Sequence, residues 1–172
     1  MKNSTRILVV AILALSLLGS HPAFAGTNSA AAFDQIKALV GHWQEATPTD
    51  AKASMDIELT ANGTAVLERF HMIESGKAVE MTTLYYLDGD HLKMTHYCMA
   101  GNQPTMRATY APDAKTLTFD FESASNLKSP NDGHMHHAVY TFLDNDHFKT
   151  RWTFQKDQKD AFTEDVTYVR LK

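Results

Sequence analysis

Two concentrations of histidine, methionine and cysteine carry most of the reactive chemistry in this 172-residue sequence. His96 and Cys98 are two residues apart within residues 92–98, where apolar and polar residues alternate. Side chains two apart on a β-strand lie on one face, so the pattern predicts that both point inward. Residues 134–137, His-Met-His-His, form the second concentration. Imidazole, thiol and thioether groups can anchor a ligand, hold a soft metal or transfer protons.

The interpretation that we favour is a pocket for a small apolar or amphipathic molecule. Such pockets are mostly apolar and contain a few polar groups that orient the ligand. Methionine adapts its shape to a ligand, aromatic rings supply contact area, and a buried histidine donates or accepts a hydrogen bond. The residues expected around this ligand are His96, Cys98, Asn102, Gln103, Met81, Tyr85, Met106, His136, Trp152 and Glu68.

A second interpretation is a site for a soft metal, either copper or a haem iron. Its ligands would be His96, Cys98, His134 and His136, since imidazole and thiolate groups suit these metals. The spacing contains neither Cys-x-x-Cys nor His-x-x-x-His with a partner carboxylate. Solvated loop-end histidines and a core His96 account for the same residues, and we therefore expect no metal and no cofactor.

A third interpretation is a small barrel enzyme that uses His96. Paired with Cys98, this histidine would activate a nucleophile, and paired with Glu68 it would do acid–base work. No nucleophile elbow or phosphate-binding loop accompanies these residues. We therefore favour binding without catalytic residues over an enzyme.

About ten short alternating strands after Gly41 must position these side chains. Their connections alternate between tight ones, at 62–63, 88–90, 112–114 and 144–146, and longer ones, at 48–53, 74–78, 99–103, 123–133 and 156–161. Successive connections of an up-and-down sheet lie at opposite ends, so one end is predicted to be tightly connected and the other open. A sheet of this size closes to remove its edges. The predicted fold is all-β, an up-and-down antiparallel barrel with one short N-terminal helix.

The alternation of charged and apolar residues predicts which side chains enter this barrel. Met55, Ile57 and Leu59 are expected to face inward on one strand, opposite charged neighbours. Two strands remain ambiguous. Residues 64–72 can bury either the face with Glu68 or the opposite one, and residues 134–143 carry apolar side chains on both faces.

The N-terminus predicts export. Lys2 and Arg6 precede an apolar run at residues 7–18, and Ala23-Phe24-Ala25 is a small-x-small cleavage site. We expect residues 1–25 to be a signal peptide and residues 26–172 to form one domain in the periplasm or outside the cell, without stable membrane insertion after cleavage. The net charge of −4 and the absence of a basic patch argue against nucleic acid as a partner. The single cysteine excludes an internal disulfide.

The first and last predicted strands meet at the end of the barrel that has the tight turns. Trp43 opens the first strand and Arg170 closes the last, with Arg170 on the inward face, so the guanidinium can stack on the indole. The helix before Gly41, starting at Asn28 or Ser29, would then cover this end.

The pattern of Gly41, Trp43 and Arg170 resembles the calycins, which include lipocalins and fatty-acid-binding proteins. Those families pair a Gly-x-Trp on the first strand with an arginine on the last, and the resemblance implies a structural role for the three residues. Residues 95–104 also resemble a segment of uncharacterised secreted bacterial lipocalin-like proteins, which implies no particular activity. The chain differs from lipocalins in lacking disulfides and from fatty-acid-binding proteins in lacking two lid helices. The ligand class is therefore not carried over.

Overall fold

The structure is a computed structural model that describes residues 28–46 and 53–172. The predicted signal peptide at residues 1–25 lies outside these residues, as does most of the predicted loop at 48–53. Within them, helix α1 spans Asn28–Ala38, and a 3-10 turn lies at Ala61–Gly63. The strands are β1 Gly41–Glu45, β2 Ala53–Thr60, β3 Ala65–Glu74, β4 Lys77–Asp88, β5 His91–Tyr97, β6 Gln103–Ala111, β7 Thr116–Ser125, β8 His134–Phe142, β9 His147–Lys156 and β10 Lys159–Arg170.

These strands form a closed barrel in which each strand pairs with its neighbours in the sequence. β1 pairs antiparallel with both β2 and β10, which closes the sheet and leaves no free edge. The predicted all-β antiparallel barrel of about ten strands, with one N-terminal helix, is confirmed.

Most of the predicted inward faces are buried. Met55 and Ile57 on β2, and Leu92 and Met94 on β5, are each less than 5% exposed. The prediction for Leu59 was wrong: it lies at the end of β2, where its side chain is 49% exposed. A strand end projects past the layer of facing side chains, so alternation alone does not guarantee burial there.

A β-bulge resolves the ambiguity of β8. Met135 pairs with Phe154 of β9 and His137 pairs with Thr153, so His136 is the extra residue. The inward face therefore changes parity at this point. Apolar side chains on both parities of the sequence are consequently buried.

Two of the predicted long loops are short turns. β3 and β4 are joined by Ser75 and Gly76, and β9 and β10 by Asp157 and Gln158. All four residues have positive φ, which suits a tight hairpin turn. Loop length therefore does not distinguish the two ends, although the topology still places these turns at the same end as the 98–102 and 126–133 connections. We call this the open end, and the end covered by α1 the closed end.

The predicted contact at the closed end is confirmed. The Arg170 guanidinium carbon lies 4.1 Å from the centre of the Trp43 ring. Arg170 also donates hydrogen bonds to the Val40 carbonyl, at 2.7 Å, and to the Ala38 carbonyl, at 2.8 Å. Trp43 Nε1 donates to the Leu39 carbonyl at 2.7 Å. The first and last strands thus hold the C-terminal end of α1 over the barrel.

Gly41 is expected to be far more sensitive to substitution than a turn glycine. Its φ is +141°, and an added Cβ would lie 2.7 Å from Arg170 Nη1. Gly89, with φ +61° and no atom within 4 Å of such a Cβ, is the matched control. We expect Gly89→Ala to lower the free energy of unfolding by about 1 kcal/mol. Gly41→Ala is expected to lower it by about 2–3 kcal/mol, because the new methyl group also displaces the Arg170 guanidinium from its hydrogen bonds. Urea unfolding of both variants tests this, and equal losses would contradict it.

Candidate functional site

A carboxyl group lies inside the barrel within a cluster of hydroxyls. Glu68, on β3, is 4% exposed. Tyr85 Oη donates to its Oε2 at 2.7 Å and lies 2.7 Å from Tyr140 Oη. With Glu68 ionised, Tyr85 gives its only proton to the carboxylate, so Tyr140 is the donor between the two phenols. Loss of water raises the pKa of Glu68 to about 7.

His96, on β5, is the second buried titratable group. It is 5% exposed, and its ring lies 4.9 Å from that of Trp152. Its Nδ1 is 2.9 Å from Thr83 Oγ1, while its buried Nε2 has no hydrogen-bond partner among the described residues. Burial lowers the pKa of His96 to about 4, so the ring is neutral near pH 7.

Thr83 lies between the two groups, and the direction of its hydroxyl proton sets the histidine tautomer. Its hydroxyl also hydrogen-bonds Glu68, and that bond lowers the pKa of the carboxyl, as donation to the carboxylate does. A hydroxyl has one proton, so toward His96 it must accept. When the Thr83 proton points to the Glu68 carboxylate, His96 Nδ1 carries the ring proton and Nε2 is an unpaired acceptor.

Glu68 and His96 line a small space, the inner cavity. Its volume is about 40 Å³, room for two or three water-sized groups. The barrel interior is thus largely filled by its own side chains. The lining residues are Met55, Glu68, Phe70, Met81, His96, Met135, Tyr140, Thr150, Trp152, Glu164, Val166 and Tyr168.

The larger space lies above the inner cavity, at the open end. This depression, the funnel, has a volume of about 610 Å³. It is lined by Met72, Glu74, Met81, Cys98, Met99, Ala100, Met135, Phe154, Phe162, Thr163 and Glu164. Met81, Met135 and Glu164 line both spaces, so the funnel and the inner cavity are adjacent and share part of their walls. The flexible side chains of Met81 and Met135 stand between them.

The structure brings half of the sequence-predicted ligand residues together. His96, Glu68, Trp152 and Met81 line the inner cavity, and Met81 and Cys98 line the funnel. Tyr85 acts on the site through its hydrogen bond to Glu68.

The remaining predicted ligand residues have other contacts. Met106 is fully buried in the hydrophobic core. Asn102 donates to the Gly133 carbonyl at 2.8 Å, and Gln103 accepts from Ser125 Oγ at 2.7 Å. His136 stacks on Phe121, with ring centres 5.1 Å apart. The amides therefore hold the connections of the open end together, and neither they nor these other two residues line the inner cavity or the funnel.

The four residues of the alternative metal site do not form one cluster. His134 Nε2 lies 3.2 Å from His136 Nδ1, beside Phe121, whereas His96 packs against Trp152. Across residues 28–46 and 53–172, no three His, Cys, Asp or Glu side chains are placed to hold a metal ion. The bulge in β8 separates the histidine pair from the strand face that carries His96.

Sequence reasoning missed several site residues. Thr83 shares the parity of Met81 and Tyr85 on β4, and Tyr168 that of Val166 on β10, which marks both as interior polar groups. Tyr140 was hidden by the bulge in β8, which shifts its parity. Glu164 shares the parity of Val166, but a charged side chain at a strand position predicts an outward direction.

The fold, and not a family, is what comparison with known proteins identifies. Neither a protein-family profile nor a curated protein matches the sequence. The chain is similar to Rv2717c from M. tuberculosis, with TM-score 0.54, 12% identity, and coverage of 84% of this chain and 99% of that one. It is also similar to a protein of unknown function from the DUF3598 family of Nostoc punctiforme, with TM-score 0.49 and 14% identity. That match covers 80% of this chain and 49% of the other, so this chain spans about half of its length.

Within the described residues, helices long and apolar enough to cross a membrane are absent.

Proposed function

We propose that this protein binds a small apolar or amphipathic molecule without transforming it. The ligand's apolar body lies in the funnel, and its polar end enters the inner cavity. The single observation that carries this proposal is that Met81 and Met135 line both spaces, so the flexible side chains between them can open one to the other. The closed ten-strand barrel is compatible with a calycin-like fold, and the signal peptide predicted at residues 1–25 supports binding in the periplasm or outside the cell.

The side chains that line the funnel favour an apolar ligand over a polar one. The funnel wall contains four methionines and two phenylalanines, and Phe154 and Phe162 stack with ring centres 5.0 Å apart. Phe162 remains 50% exposed. Covering such apolar surface contributes roughly 25 cal/mol per Å² of area removed from water.

The proposal is tested by introducing a bulkier side chain that blocks the binding of a fluorescent probe in the funnel. Wild-type protein is titrated with the neutral fluorescent probe N-phenyl-1-naphthylamine, and saturable binding at one site per chain is expected. Met81→Trp fills the passage between the two spaces and is expected to weaken binding roughly tenfold. Leu87→Trp, at an exposed apolar position at the closed end, is the matched control and is expected to bind like wild type.

No saturable binding by the wild type would overturn the proposal. Equal weakening in both variants would show that the probe binds elsewhere on the surface. Circular dichroism of each variant confirms that the fold is retained before the affinities are compared.

A further inference from the structure

The charges around the inner cavity and funnel have one sign. Glu68, Glu164 and Glu74 are lining residues of these spaces, and among the described residues no Lys or Arg lines either space. Glu68 is buried at the bottom, whereas Glu164 and Glu74 are exposed at the rim. A cationic ligand is therefore attracted along the whole path, and an anionic one meets repulsion without a compensating partner.

The free hydrogen-bonding groups in the inner cavity are acceptors. Glu68 is an acceptor when ionised, and His96 Nε2, which has no partner among the described residues, is an acceptor in the tautomer that donates from Nδ1 to Thr83. The nearby phenol protons are already committed, since Tyr85 donates to Glu68 and Tyr140 to Tyr85. The ligand group that satisfies this site must supply donors.

The walls and the volume favour a compact cation. Aromatic rings of Phe70, Trp152 and Tyr168 line the inner cavity, and such rings attract cations through their faces. An ammonium group is close to a water molecule in size and fits a cavity of about 40 Å³. A guanidinium or a quaternary ammonium head exceeds that space.

We propose that the site selects an aliphatic primary amine, whose ammonium group donates to the Glu68 carboxylate and His96 Nε2 while its chain extends through the funnel. This inference rests on the proposed binding function and specifies its ligand class. An ammonium has three donors and one charge, so it satisfies both acceptors at once. An alcohol supplies a single proton and no charge, and a carboxylate supplies neither donor nor attraction.

The electrostatics of Glu68 agree with this ligand. Its pKa of about 7 reflects the cost of burying the charge, and a neighbouring ammonium compensates that cost. A charge taken out of water needs a close partner with good geometry, and this site offers one at the end of an apolar path.

The test uses three ten-carbon amphiphiles that differ only in their head groups. Decan-1-amine, decan-1-ol and decanoic acid each compete with the neutral probe for wild-type protein at pH 7.5 and about 0.15 M salt, where charges beyond about 8 Å are screened. We expect the amine to bind at least roughly tenfold more tightly than the alcohol, and the acid to bind most weakly.

Two variants assign the preference to the inner cavity. Glu68→Gln is expected to reduce the advantage of the amine over the alcohol to less than about threefold, with probe binding retained. His96→Phe keeps a ring against Trp152 but removes the acceptor, and is expected to weaken amine binding several-fold. Glu58→Gln removes the same charge from the outer surface, where Glu58 pairs with Arg69 at 2.8 Å, and is expected to preserve the preference.

The possible outcomes separate this inference from the proposed function. Probe binding with no preference for the amine, or with a preference for the acid, overturns the inference and leaves the binding function intact. Loss of the preference in Glu58→Gln as much as in Glu68→Gln also overturns it. Absence of probe binding overturns the binding function itself. If Glu68→Gln does not fold, the wild-type ranking and His96→Phe decide.

Discussion

Arg170→Met is expected to lower the free energy of unfolding by about 3–4 kcal/mol, although methionine preserves apolar contact with Trp43. The guanidinium is the donor to three main-chain carbonyls, those of Ala38, Val40 and Asn145. Its loss removes the donor from two carbonyls at the end of α1 and from one in the turn between β8 and β9, and it removes the cation from the indole face. Urea unfolding measures the loss, and hydrogen exchange of the α1 amides shows whether the helix detaches first.

Two further substitutions control for the general effect of losing an arginine. Arg170→Lys keeps the charge but cannot reproduce the planar fork, so an intermediate loss is expected. Arg151→Met removes an arginine whose side chain is 60% exposed and that pairs with Asp165 on the outer surface. It is expected to cost less than about 1 kcal/mol. A loss in Arg170→Met as small as that of Arg151→Met would contradict the proposed role of the closed end.

Glu68→Gln is expected to change the pH dependence of stability by about 3 kcal/mol. The pKa of Glu68 is about 7 in the folded chain, against an ordinary value of 4.5. Between these values the folded state holds a proton that the unfolded state has released, so this group destabilises the fold as pH rises from 4.5 to 7. At about 1.4 kcal/mol per pH unit, the variant gains about 3 kcal/mol relative to wild type across that window.

His96→Gln is expected to shift stability in the opposite direction. The pKa of His96 is about 4 in the folded chain, against 6.5, so the unfolded state binds the extra proton between these values. Wild-type protein therefore loses stability through His96 as pH falls from 6.5 to 4, and the variant does not. In wild type, Glu68 lowers stability as pH rises from 4.5 to 6.5, and His96 raises it, so the two contributions oppose one another. Each single variant removes one contribution and leaves the other to be measured.

The three phenols around Glu68 do not titrate in this window. Burial and the Glu68 charge raise the pKa values of Tyr85, Tyr140 and Tyr168, which stay protonated. Glu164 lines the cavity edge but is exposed. Urea unfolding of wild type and both variants at steps from pH 4 to 7.5 measures the two differences. Stability curves that run parallel for all three proteins would contradict the prediction.

The sequence predicted the barrel because its main signals are local and regular. Alternation with period two marks a strand with one buried face, and turn residues mark where each strand ends, so an up-and-down order follows from short connections. Trp43 and Arg170 were matched because the first and last strands of a closed barrel must pair. The sequence predicted His96 and Trp152 as site residues because their strands have a clear inward parity. It predicted Glu68 as one of two alternative buried faces of its strand.

What the sequence determined by itself is the closed ten-strand architecture and the meeting of Trp43 with Arg170. The tertiary structure decided which face of β3 is buried, and with it that Glu68 enters the interior. It also decided the bulge at His136, which brings Tyr140 to Glu68 and separates His134 and His136 from His96. These features depend on how side chains from many strands share one interior volume. Such packing depends on residues that are far apart in the sequence, so no single segment predicts it. The alternation of strand residues and the residues of a turn, by contrast, are visible locally.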